Sequence, residues 1–208
     1  VGGFLTPIFT ESTLKLTDPT TRIAFVPAIE AVAIAAIVAY SLTGALLPGT
    51  AIAGWAALIA AAANLVRMAR WRTFSIIADP LLATMHLAFF WYVAAIAFRG
   101  LADLGLGTGT AAAIHMFTVG ALLLMKISLM TRIALRHTGR PVEPRPLMIA
   151  FFVVAAAAPI LRLFSLDGSL AATAFAVAAW ALPFLVYLAL YGRYLVRPSL
   201  PRGPLPPF

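Results

Sequence analysis

The chain has 208 residues, 62% of them hydrophobic and only 11% charged, with no cysteine and a formal net charge of +8. An ordinary soluble domain carries roughly 25% charged residues. So much apolar surface, with a mean hydropathy of +0.99, needs lipid as its solvent. Without cysteines, disulfides, iron–sulfur clusters and thiolate-held metals are excluded, which leaves His, Met, carboxylates and backbone for any metal chemistry.

The chain opens on VGGFLTPIFT, residues 1–10, with Val rather than Met first and no charged leader before an apolar core. It reads like the end of something already at the membrane, and the expectation is a fragment or the mature remainder of a longer protein. The first long apolar run covers residues 23–47 and stops at Pro48 and Gly49; the second covers 50–66 and stops at Arg67, Arg70 and Arg72. The third covers 80–98, with Pro80 at a natural helix start. A Gly-rich turn at 100–109 leads to the fourth run, 110–131, and a polar connection at 132–146 leads to the fifth, 147–164, and the sixth, 169–191. Each run approaches the ~20 residues that cross ~30 Å of hydrocarbon as a helix. Period-two alternation is missing, and Ala and Leu dominate, so strands are a poor alternative. The expectation is an all-α, polytopic membrane protein of about six transmembrane helices. One domain spans residues 1–196, and an extended, Pro-rich cytoplasmic tail spans 197–208.

Orientation follows from Arg and Lys, which gather on the cytoplasmic side of membrane proteins. Lys15, Arg22, Arg67, Arg70, Arg72, Arg132, Arg136, Arg140, Arg145, Arg193, Arg197 and Arg202 fall in segments that alternate onto one side, against Arg99 and Arg162 on the other. Both termini are therefore expected to be cytoplasmic. The basic residues sit in short gaps between apolar runs, so the partner they imply is the bilayer, not nucleic acid. No internal repeat supports an inverted-repeat transporter.

Titratable groups inside apolar runs are costly and often functional. They are Glu30 in the first run, His86 in the third, and His115 and Lys126 in the fourth, with Asn64 near the end of the second. From the ~1.5 Å rise per residue, Glu30, His86 and Lys126 lie at a similar inner-leaflet depth, and His115 lies toward the outer side. The plainer reading is a Glu30–Lys126 ion pair that fastens helices, with Lys126 snorkelling to the interface. The sharper one is a buried polar cluster. An imidazole in lipid must find a partner, and it is a common ligand for haem iron and copper. Phe89 and Phe90 share a face with His86. Thr118, Leu122 and Lys126 share one with His115, where a cation below a ligand could meet a haem propionate. The connection MTRIALRHTGRP carries His137, Gly139 and Pro141 at a turn, and Arg132 or Arg140 could clamp a carboxylate or phosphate.

The stretch HMFTVGALLLMKISLMTRIALRHTGRP, residues 115–141, resembles the signature of the NnrS family of bacterial membrane proteins, in which a His and a T-V/A-G-A segment lead through an apolar helix to M-T-R and H-T-G-R-P. HLAFFWYVAAI (86–96) is similar to the family's His-Leu-aromatic helix, and GGFLTPIFT (2–10) to its Gly-Gly segment between halves. The departures are Leu122, Leu123, Leu124 and Lys126 where smaller residues and Thr are usual, and Arg136 where Gly is usual. The resemblance implies the C-terminal half of a haem- and copper-containing protein of the bacterial inner membrane, linked to nitric oxide metabolism or nitrosative-stress resistance. It implies a missing N-terminal half or second chain. It also implies His86 and His115 as haem or metal ligands, and Arg132, His137 and Arg140 as loop elements, while Lys126 stands beside the cofactor by its helical spacing from His115 alone. The alternatives are a transporter or exporter half that relays through Glu30, His86 and Lys126, and a structural membrane module. No nucleophile–base–orienter set or nucleotide loop supports a hydrolase.

Overall fold

The computed structural model describes residues 2–106, 109–164 and 168–201. Among them there is no strand, and six helices are long and apolar enough to cross a membrane. These are α2 (Pro27–Leu46), α3 (Ala51–Ala69), α4 (Pro80–Asp103), the continuous span Thr110–His137, α7 (Pro146–Phe164) and α8 (Leu170–Leu195). The span Thr110–His137 comprises α5 (Thr110–His115), a π-helical stretch (Met116–Leu122) and α6 (Leu123–His137). A short helix, α1 (Gly2–Leu14), precedes them all, and a 3-10 turn (Thr73–Ile76) joins α3 to α4.

The helix starts follow from local chemistry. Pro27 and Pro80 fill first-turn positions where a missing N–H costs nothing. Thr50, Asp79 and Ser169 cap α3, α4 and α8 by accepting backbone N–H groups, Asp79 from both Leu81 and Leu82 at 2.9 and 3.1 Å. The fourth span outruns its apolar run by six residues. Arg132 ends the run in composition, but nothing stops the backbone until Gly139. There Gly139 N–H donates to Arg136 O (3.3 Å) and Arg140 N–H to Leu135 O (2.9 Å), the paired bonds of a Schellman stop. Residues 100–103 of the expected Gly-rich turn belong to α4, while 107–108 lie outside the described residues. Of the expected tail, 202–208 also lie outside them.

Helix α4 is the hub. Against α3 it packs small residues, with Ala57, Ala60 and Ala61 buried under Phe89, Val93 and Ile96. Lipid tails are as apolar as the side chains, so close fit rather than exclusion of water holds such faces together. On its other side, Ala88 packs with Leu123, Leu124, Ala155, Ala158 and Ala179. A third cluster around Leu81, Ile127, Met148, Tyr187 and Tyr191 closes the Arg-rich end. Helix α2 is peripheral, with Ala33 its one buried residue among those described.

Helix α1 lies against this Arg-rich end, on α4 and the 3-10 turn, with Leu5 and Phe9 packed over Ile76, Leu82 and Met85. Its own sequence makes it weak, since Pro7 sits inside it. Pro7 has no N–H for the carbonyl four residues back, which is that of Gly3. Arg67 supplies the bond instead, donating from Nη2 to Gly3 O at 2.7 Å. A Cβ on Gly3 would meet that guanidinium and push it aside. Arg132 stacks its guanidinium on Phe9 at 4.4 Å and holds the helix from a second side.

Candidate functional site

His86 stands on the seventh residue of α4, and Asp79 and Pro80 fix where that helix begins. The ring is 1% exposed. Nε2 lies 2.9 Å from Thr10 Oγ1 of α1, and Nδ1 lies 2.9 Å from Thr73 Oγ1 of the 3-10 turn. Thr10 has one hydroxyl proton, which it donates to Thr6 O at 2.8 Å. Its oxygen therefore accepts from His86 Nε2–H, which in the neutral ring leaves Nδ1 to accept from Thr73 O–H. Both ring nitrogens are thus occupied by threonine hydroxyls. Trp71 meets the ring edge-on at 5.9 Å.

Glu30 does not meet Lys126. It pairs with Arg67, Oε2 to Nη2 at 2.5 Å, which corrects the expected Glu30–Lys126 bond. The reason is direction: Glu30 and Arg67 sit on neighbouring helices α2 and α3 at the same end, while Lys126 faces the opposite side of the bundle with α8. Glu30, Asn64 and Arg67 line a cavity of about 770 Å³ between α1, α2, α3, α4 and the π-helical stretch. Asn64 is buried and donates to Ala60 O at 2.9 Å. The expected cluster of Glu30, His86 and Lys126 is therefore not assembled.

A second cavity, of about 360 Å³, lies between the fourth span, α7 and α8. His115, Thr118, Leu122 and Lys126 line it, as their helical spacing predicts, together with Arg162, Trp180 and Phe184. The π-helical stretch begins just after His115. Its wider turns bring Val119 and Leu123 onto the same wall beside Thr118 and Leu122. Thr118 turns its hydroxyl back to Ile114 O at 2.8 Å. His115 is partly buried, and no hydrogen bond reaches its ring among the described residues; Lys126 likewise forms no ion pair among them.

The connection after the fourth span is a docking element. Thr138 is buried and bonds Ala134 O at 2.6 Å. Leu200 N–H donates to Thr138 O (3.1 Å) and Ser199 Oγ to His137 O (3.2 Å), so the described start of the tail runs across the turn. Gly139 has φ +73°, and a Cβ there would lie 2.7 Å from Leu200 O. Arg140 lies over the Tyr194 ring at 3.8 Å and donates to Thr138 O at 3.1 Å. His137 is exposed and takes part through its backbone.

The structure thus places His115 with Lys126, and separates them from His86, from Glu30, and from the Arg132, His137 and Arg140 group. Sequence reasoning missed Thr10, Thr73, Arg67 and Arg162. Arg67 was legible in part, because Pro7 leaves the carbonyl of Gly3 without its backbone donor. Among the described residues, no three His, Cys, Asp or Glu side chains converge to hold a metal.

Fold and composition together define a multi-pass α-helical membrane protein. The family model for the NnrS protein matches residues 1–199, and the chain belongs to that family. Comparisons with curated proteins and with solved structures gave no match.

Proposed function

We propose that this protein is a haem-binding membrane protein of nitric oxide metabolism or nitrosative-stress resistance. We place it in the bacterial inner membrane with both termini toward the cytoplasm, and we assign the haem to the cavity lined by His115. Family membership supports the role. The observation that carries the assignment is the donor set of that cavity, an imidazole that bonds no other group among the described residues, with Lys126 and Arg162 on the same wall space as Trp180 and Phe184. Its size falls within the ~300–1,000 Å³ of cofactor and small-molecule sites.

A haem bound there would supply an iron able to take nitric oxide at an open position or to pass an electron. His115 would hold the iron through a neutral ring nitrogen. Lys126 and Arg162 would meet the propionate carboxylates, which need cations in so apolar a place. Trp180 and Phe184 would cover the ring and keep water out. His86 fits such a group poorly, because a metal on either nitrogen would have to displace a threonine hydroxyl. The copper implied by the family finds no three-ligand set among the described residues, so no step is drawn through it.

The test is the visible absorption spectrum of the detergent-extracted protein, produced with ample haem. A Soret band is expected from the parent chain. His115→Ala should lose it, and Lys126→Ala should keep its position while weakening haem retention about tenfold, the effect of one charged hydrogen bond. A Soret band of full intensity in His115→Ala overturns the assignment.

A further inference from the structure

The end of the bundle where α7 begins and α8 stops gathers positive charge around one ring. Arg140 and Arg145 come from the connection after the fourth span, and Arg193 from the last turn of α8. Arg140 stacks on the Tyr194 ring at 3.8 Å, and the guanidiniums of Arg193 and Arg145 lie 5.2 and 5.9 Å from its centre. Arg145 Nη2 donates to the phenol oxygen at 2.7 Å, and Arg193 Nη2 donates to the same atom at 3.4 Å. Stacking on a ring stabilises a cation without neutralising it, and here three cations share one ring.

No carboxylate answers these charges. The ion pairs among the described residues join Lys15 to Glu11, Arg67 to Glu30 and Arg99 to Asp103. Glu143, the nearest acid in sequence, takes part in none of them. Like charges so close repel, and an anion among them removes that cost. The donors can be reached, since Arg145 and Arg193 are exposed and Arg140 and Tyr194 are half-buried. Tyr194 accepts two N–H groups, while its own proton goes to no protein acceptor among the described residues. Arg140 spends Nη1 on Thr138 O, which fixes the side chain beside the ring.

We propose that Arg140, Arg145, Arg193 and the Tyr194 hydroxyl bind a phosphate group. A phosphate presents several anionic oxygens, enough to accept from more than one guanidinium and from the phenol together, and the guanidinium fork matches its geometry. Arg145 directly precedes Pro146, the first residue of α7, and Tyr194 is the last residue but one of α8. The cluster therefore lies at the level where two spans leave the hydrocarbon, which is the level of phospholipid headgroups. An anionic headgroup is the expected source of the phosphate, and a free phosphate compound in the water on that side is the other. This inference does not depend on haem at His115.

The experiment uses the full chain, stripped of lipid in a neutral detergent. Phosphatidylglycerol is titrated and followed by native mass spectrometry, and inorganic phosphate is titrated separately by calorimetry. Phosphatidylglycerol should bind saturably and ahead of phosphatidylcholine, whose choline cation the cluster repels. Arg140→Gln and Arg193→Gln should each weaken it about tenfold, the effect of one charged hydrogen bond, with circular dichroism unchanged. Arg145→Gln should do the same, and it keeps the backbone N–H that bonds the Tyr191 hydroxyl. Arg72→Gln removes an equal charge from the exposed turn after α3, outside the cluster, and should bind like the parent chain. Inorganic phosphate that binds with the same dependence on the three arginines, where phosphatidylglycerol does not, keeps the phosphate site and assigns it to a free compound. The proposal fails if neither probe saturates, if the three arginine variants bind like the parent chain, or if Arg72→Gln weakens binding as much as they do.

Discussion

Counting protons at single residues separates the two intramembrane histidines. Thr10 has already given its proton to Thr6, so His86 must donate from Nε2, while its Nδ1 is held by Thr73. It works as a bracket between α1, α4 and the 3-10 turn. Thr10→Val would strand the Nε2–H in a dry interior, and should lower thermal stability in detergent by about 1–3 kcal/mol while leaving any Soret band unchanged. A lost band there would show that His86 does reach a cofactor. Arg67 has a comparable burden. Arg67→Leu leaves Glu30 without its partner and Gly3 O without a donor, and should cost about 3–5 kcal/mol in the same measurement. Pro7→Ala restores a backbone N–H for Gly3 O. In the Pro7→Ala background, the same Arg67 change should cost about 1 kcal/mol less, as a double-mutant cycle would read.

At the scale of elements, the fourth span and α1 show how a helix is ended or held by a partner outside itself. Gly139 combines positive φ with the close approach of Leu200. Gly139→Ala would force an L side chain into the left-handed region at a cost of about 1–2 kcal/mol and push the tail away. Limited proteolysis should then cut at residues 196–201 sooner than in the parent chain. Helix α1 is tied to the start of α2 by Glu11, which pairs with Lys15 and accepts the N–H of Ile23 at 3.0 Å. The Lys15 hydrogen bond holds the Glu11 carboxyl below the usual carboxylate range. Partial burial opposes that effect, and the Ile23 N–H and the charges of Lys15 and Arg22 assist it. A depressed folded pKa means the tether contributes fully above the ordinary ~4.3 and is lost as pH falls through the folded value. Amide exchange at Ile23 should therefore follow its intrinsic pH trend from about pH 6 to 8, and exceed that trend only below about pH 4. Glu11→Gln should abolish that acid dependence.

For the whole molecule, α4 divides the interior into two compartments, one facing α1, α2 and α3 and the other facing α7 and α8. The transporter reading needed Glu30, His86 and Lys126 within reach of one another, and the bundle holds them in three places. The resemblance to NnrS proteins rested on motifs in residues 2–10, 86–96 and 115–141. Three of those motifs have visible structural work: Gly3 and Pro7 with Arg67, His86 with two threonines, and the HTGRP turn with the tail. His115 is the motif residue whose ring, among the described residues, has no bond and lies on a cavity.

Composition and apolar run length by themselves determined six helices long enough to cross a membrane, because hydrocarbon demands internally bonded backbone over a fixed thickness. Helical spacing determined that His115 and Lys126 share a face, since residues along one helix are related by local geometry alone. Which helices meet was decided only in three dimensions. Alanine-rich faces fit several neighbours equally well by composition, and shape selects among them. The Arg67 bridge to Glu30 and Gly3, the threonine pair on His86, and the separation of the two cavities all follow from that selection. They join residues up to 76 positions apart, and no periodicity connects positions so distant.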